Sequence, residues 1–187
     1  MIKVTDSETI RNIDFTQTDF ANSYYDCTFE GCEFNELEIR DIHFENCTFR
    51  SCNFSLTKFI CHLSNSRFIE CKMTGSSFEY IHRFSSQFEF TNSILEYANF
   101  TGTNLKMAKF NNCSLVEADF SDTDLTNAII GKCNLLRTYF NNTNLRKCNF
   151  SSSYNITINP NTNQIKGMII DETELRGLVS QFGIVIA

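Results

Sequence analysis

The chain has 187 residues, a formal net charge of −6, 19 Phe, 7 Gly, 1 Pro and no Trp. That length suits one sizeable domain, and no Pro/Gly-rich or charge-block linker divides it. An acidic chain without clustered Lys/Arg is poorly suited to direct binding of DNA or an anionic membrane, since both need such clusters to release counterions.

The opening MIKVTDSETI has no basic stretch followed by an apolar core. No apolar run approaches the roughly 18–20 residues of a membrane helix. A soluble, cytoplasmic protein is expected. Residues 1–12 read as an irregular cap before the first regular feature.

From Phe15 and Phe20 a period of five governs the chain. It continues through Phe29, Phe34, Ile39, Phe44, Phe49, Phe54 and Phe59, then Leu63, Phe68, Met73 and Phe78. After a gap it resumes at Phe90 and alternates Leu with Phe, apart from Ile130, as far as Phe150. Only Phe84, Phe88 and Phe182 lie off these centres. Two positions before the centres stand all nine Cys, at 27, 32, 47, 52, 61, 71, 113, 133 and 148, in a slot shared with Ala, Ser and Thr. The slot selects for small size.

Residues two apart in an extended chain point the same way, so slot and centre face inward and the residue between them faces water. The remaining two positions are rich in turn-forming polar residues. Such a unit cannot bury its apolar side alone, so neighbours must stack into a solenoid, with coils about 4.8 Å apart. If four units close one coil, opposite walls carry like residues, Phe facing Phe and Leu facing Leu.

The period slips three times: nine residues separate Phe20 from Phe29, four separate Phe59 from Leu63, and twelve separate Phe78 from Phe90. Periodicity alone leaves open whether the first two are deletions or local re-phasing. In the third, Arg83 falls where an apolar centre is due, and an unpaired charge in this core would cost several kcal/mol. Residues 80–87 therefore read as a loop, either a tolerated insertion or a partner contact made by Tyr80, Ile81, His82, Arg83 and Phe84.

Past residue 154 the pattern fades, and 155–187 read as a separate closing segment. In DETELRGLVSQFG, Asp171 and Glu174 have capping-box spacing, apolar residues recur at Leu175, Leu178, Val179 and Phe182, and Gly183 suits a left-handed stop. A helix this short needs a surface to pack on. Two are available: the open coil end, or a second chain reached together with the strand-like tail IVIA. Both together give a symmetric dimer through Leu175, Leu178, Val179, Phe182, Ile184 and Ile186.

No catalytic, cofactor-binding or metal-binding residues are expected. The C-x4-C spacings repeat the five-residue period, whereas metal ligands must converge on one point. Nine Cys is an odd number and a reducing compartment disfavours disulfides. His43, His62 and His82 have no recurring nucleophile beside them. Charge is uneven: residues 1–100 hold fifteen Asp/Glu against eight Lys/Arg, and 101–187 hold seven against eight. Asp26, Glu30, Glu33, Glu36, Glu38, Asp41 and Glu45 are opposed only by Arg40. They form either an ordinary solvated surface or an anionic patch for a basic partner.

Runs such as ANFTGTNLKM, ADFSDTDLTN and CNFSS resemble the A(D/N)LXX consensus of the pentapeptide-repeat family over residues 13–154. The resemblance implies an all-β, right-handed quadrilateral β-helix with four units per coil, closed by a short C-terminal helix and strand. The body followed by FGIVIA is similar to the quinolone-resistance Qnr group and the microcin- and albicidin-immunity proteins. That likeness implies a homodimer joined at its C-termini that binds DNA gyrase or a related type II topoisomerase by mimicking DNA, and counters its inhibitors. A general interaction scaffold with an unrelated partner is the alternative.

Overall fold

The computed structural model describes residues 3–81 and 87–184, with only the backbone of Gln181. The chain winds into a four-sided parallel solenoid. In its regular part each outward residue bridges one twenty positions on, as Asn99 does to Asp119 and Asn104 to Asp124, so four five-residue units make one coil.

Wall two is a seven-stranded parallel sheet from Thr9–Arg11 to Ile129–Gly131, in which Phe29 lies on Phe49 and Phe90 on Phe110. Wall one begins as a four-stranded sheet and continues through Asn104, Asp124, Asn144 and Gln164. Single bridges build wall three, from Asp14 through Glu33 and Asn53 to Tyr154. They also build wall four, through Ser77, Asn99, Asp119 and Tyr139. The ladder runs past residue 154 to Gln164 and Ile169 on walls one and two.

The bore is filled as the alternation expects. Phe90 and Phe110 stack at 4.8 Å along wall two, Phe100 and Phe120 at 4.8 Å along wall four, and the two columns meet edge-on, Phe90 to Phe100 at 6.0 Å. Edge-to-face contact across and offset stacking along the axis both suit the ring quadrupole. Buried Leu105 and Leu125 on wall one face Leu95 and Leu115 on wall three. All nine Cys are buried free thiols. Phe88 also occupies the small slot, buried where the inserted segment rejoins the coil.

Two slips resolve into real features. Arg40 pairs with Ile60 and His43 with His62, so Cys61 alone opposes Asp41 and Ile42, and the coil has lost one residue. Near residue 25 the missing centre is Tyr24, buried, with its ring 5.2 Å above Phe44. Its hydroxyl accepts the Ala21 N–H at 2.8 Å, which satisfies the one polar atom a Phe would lack. The coil between Phe68 and its partner Phe90 spans 22 residues and absorbs the third slip.

The C-terminal helix differs from the capping-box expectation. It is a 3-10 turn at Glu172–Glu174, one α-turn at Arg176–Val179 and a second 3-10 turn at Ser180–Phe182. Asp171 makes no side-chain cap. Its carboxylate accepts the Ser152 N–H at 2.8 Å, and that of Glu174 accepts the Ile156 N–H at 2.9 Å. Both acids tie the segment to orphan amides of the last coils instead of to the helix itself. Gly183 is left-handed at φ 67° and ends the helix as expected.

Candidate interaction surfaces

One circuit of the rod takes about twenty residues, so a cluster of acids in the sequence is spread in every direction. Glu45 ends the strand of wall one and Asp26 turns the corner from wall one to wall two. Glu30 leaves wall two, and Glu33 stands on wall three. Glu36 turns the next corner, Glu38 stands on wall four and Asp41 turns the last. The expected patch is a belt around the rod.

Part of that belt is neutralised by neighbouring coils. Arg11 Nε lies 2.7 Å from Glu30, and Lys58 Nζ 2.9 Å from Glu38, which also holds Arg40 at 2.5 Å. Hydrogen bonds from Lys58 and Arg40 bring the Glu38 carboxyl down to about 2. His43 lies 3.4 Å from Glu45 and its ring stacks on His62. Among the described residues, Asp26, Glu33, Glu36 and Asp41 make no ion pair. Asp14 bridges Glu33 directly on wall three, with Glu36 at that wall's edge, so three acids without an ion pair among the described residues gather there.

In the loop, Tyr80 is exposed at 54% but Ile81 is 8% exposed and packs into the core cluster. A side chain so placed cannot serve as the partner contact expected of it. His82, Arg83 and Phe84 lie outside the described residues.

At the C-terminal end, Leu178 packs against the core while Val179 is half-buried. Leu175 (45%), Phe182 (50%) and Ile184 (56%) are left exposed. Ile186 lies outside the described residues. The helix docks through its backbone: a Cβ on Gly177 would stand 1.6 Å from the Ile156 carbonyl oxygen, and Ile158 N donates to the Gly177 oxygen at 3.2 Å. Gly177→Ala is therefore expected to release the helix while leaving the rod intact. Trypsin should cut at Arg176 at least tenfold faster with an unchanged far-ultraviolet spectrum; equal cleavage rates would contradict this docking.

Sequence reading missed a second exposed feature. Ile94, Tyr139 and Tyr154 occupy outward positions that elsewhere hold Asn, Asp or Ser. Exposed Tyr97 and Leu136 lie near the corner of the same two walls, with polar Ser114, Glu117, Asn134 and Arg137 interspersed among these residues. The signal was present as apolar residues in the middle position, and the walls that carry them are clear only once coils are stacked.

These walls, the small-residue slot and the stacked centres define a five-residue-repeat solenoid. A family profile described as a pentapeptide repeat region matches residues 22–100 and 43–120, and one for pentapeptide repeats in eight copies matches 118–154. The chain belongs to the pentapeptide-repeat family, and its fold is the right-handed quadrilateral β-helix expected.

Among solved structures, it is similar to a trypsin-treated variant of QnrB1, a plasmid-mediated fluoroquinolone resistance protein. The TM-score is 0.59 at 17% identity, over 99% of this chain and 98% of that one. Full-length QnrB1 matches at 0.54 and 17% identity, over 97% and 100%. HetL, from a cyanobacterial Nostoc strain and involved in heterocyst differentiation regulation, matches at 0.42 and 12%, over 89% and 84%. A sequence comparison with curated proteins gives no match. Among the described residues, no helix is long and apolar enough to cross a membrane.

Proposed function

We propose that this protein is a non-enzymatic, cytoplasmic partner of DNA gyrase or a related type II topoisomerase, and that it protects the enzyme from a drug or toxin. The observation that carries this reading is the end-to-end likeness of the rod to QnrB1, at a TM-score of 0.59 over nearly the whole of both chains. The uncompensated acids Asp14, Glu33 and Glu36 favour a basic, DNA-binding surface as the docking partner. The binding would be steric and electrostatic, with no bond made or broken and no cofactor.

The assembly proposed is a homodimer through the C-terminal segment, residues 155–187. Exposed Leu175, Phe182 and Ile184 in one short stretch favour burial against a second copy. Tyr80 marks the beginning of a loop contact.

The test is gyrase supercoiling with a fluoroquinolone, titrated with the protein. Rescue of supercoiling, lost in the Asp14→Lys/Glu33→Lys/Glu36→Lys variant, is expected. Neither rescue nor complex formation would favour the second reading, a general interaction scaffold. The observation favouring that alternative is the partial neutralisation of the acidic belt by Arg11, Lys58 and Arg40.

A further inference from the structure

The ladders do not all end at the same height. Wall one continues from Asn144 to Gln164 and wall two from Asn149 to Ile169, whereas wall four stops at Tyr139. One coil lower, the rung above wall four is fully used: Glu117 N donates to Leu136 O at 3.0 Å, Tyr139 N to Ala118 O at 2.9 Å and Phe120 N to Tyr139 O at 2.9 Å. The corresponding groups of the next rung are Arg137 N–H, Thr138 C=O and Phe140 N–H. Among the described residues none of the three has a hydrogen-bond partner.

The cause is a displaced corner. Asn155 takes the left-handed conformation where an inward centre is due, and Ile156 and Ile158 fill the bore instead. The chain therefore leaves wall four. Between residues 136–139, residues 155–157 and the C-terminal helix lies a cleft of about 650 Å³. Leu136, Tyr139 and Ile156 give it apolar surface, and Arg137, Arg176 and Glu174, whose carboxylate is engaged by the Ile156 N–H, also line it.

We propose that this cleft receives an extended peptide segment of a partner protein, which supplies the missing rung of wall four. An open sheet edge with alternating donors and acceptors is the feature that strand addition uses. The rod's own ladders state which side chains fit. Charge alternates in sign between stacked coils, from Arg67 to Glu89 to Lys109 and from Glu117 to Arg137. The vacant position over Arg137 therefore calls for an acid, and the one over Leu136 for an aliphatic residue. Small residues suit the positions facing Ile156 and Ile158, where the bore is already full.

The probe is the capped peptide Ac-Leu-Glu-Ala-Tyr-Ala-NH2, added to the full chain and followed by amide hydrogen exchange. In the free protein the Arg137 and Phe140 amides should exchange at least a hundredfold faster than those of Glu117 and Phe120. Peptide at up to about 1 mM should slow both at least tenfold and saturably. N-methylation of the peptide's Tyr, which removes the N–H that meets Thr138 C=O, should abolish the effect. The Ser180→Phe variant, which narrows the cleft, should abolish it as well.

Four results would overturn the proposal. The peptide could give no protection, the N-methyl peptide could protect equally, or binding could persist in Ser180→Phe. The two amides could also be protected already in the free chain and lose protection on truncation after Ile184. That last result would make residues 185–187, which follow Ile184 beside Arg176 and Ser180, the occupant in place of a partner. None of these readouts depends on gyrase, so the proposal and the function above fail separately.

Discussion

Phe110→Ala will lower the unfolding free energy by about 3–5 kcal/mol, read as a drop in urea midpoint at constant slope. Phe110 is fully buried, stacks 4.8 Å from Phe90 and meets Phe100 and Phe120 edge-on at 5.9 and 5.8 Å. Coils pinned by backbone hydrogen bonds above and below cannot close over the gap, so the cavity term stays close to its full size. Phe110→Ile should cost less than about 1.5 kcal/mol, because the change keeps most of the volume. The same column already holds Ile130 directly above Phe110. A loss below 1 kcal/mol for the alanine variant, or equal losses for both, would mean that the rings do not carry the rod's stability.

The body of this fold was legible because one side-chain spacing repeats often enough to outvote its exceptions. The centres from Phe90 to Phe150 and the Cys-containing slot followed from in/out alternation, and the opposition of Phe to Phe walls followed once the family resemblance implied four units per coil. What escaped was information carried by stacking. Tyr24 falls four residues after Phe20 and so off the five-residue spacing, and only the stacked structure shows it as a centre whose hydroxyl the Ala21 amide satisfies. The capping-box acids Asp171 and Glu174 found better-placed donors at Ser152 and Ile156 on neighbouring coils. Local pattern cannot rank a cap against a tertiary partner.

The candidate surfaces were less legible for a related reason. Residues adjacent in sequence diverge around the rod, and residues twenty apart converge. Asp26, Glu33 and Asp41 are near in sequence but on different sides, whereas Asp14 and Glu33 form one step of a single ladder. Exposed Ile94, Leu136, Tyr139 and Tyr154 likewise fall on two adjoining walls although they span over sixty residues of chain. Charge and apolarity on this fold have to be read at the coil period.

The buried thiols make the rod sensitive to alkali. Burial raises Cys47 and Cys61 from an ordinary value of 9 to about 12 each. Burial raises Cys148 as well. The folded chain keeps these protons where the unfolded chain has begun to release them. The associated stability is therefore complete below pH 9 and is lost as pH rises from 9 towards 12. A shift of this size is a loss of several kcal/mol per thiol once the pH passes the raised value, comparable with a net stability of order 5–15 kcal/mol.

Urea titrations at pH 8, 9.5 and 11 should show the midpoint falling steeply across this window. Cys47→Ala/Cys61→Ala should move the alkaline transition up by roughly half a pH unit, because Cys32, Cys52, Cys133 and Cys148 stay raised. Alanine fits the slot, since Ala98, Ala108, Ala118 and Ala128 fill it in other coils. The variant's behaviour at pH 8 then separates the two roles of the sulfur. A small loss there reports packing, and a gain at pH 11 reports the proton. If wild type and variant unfold at the same alkaline pH, the sulfur atoms are spacers whose ionisation is not linked to folding.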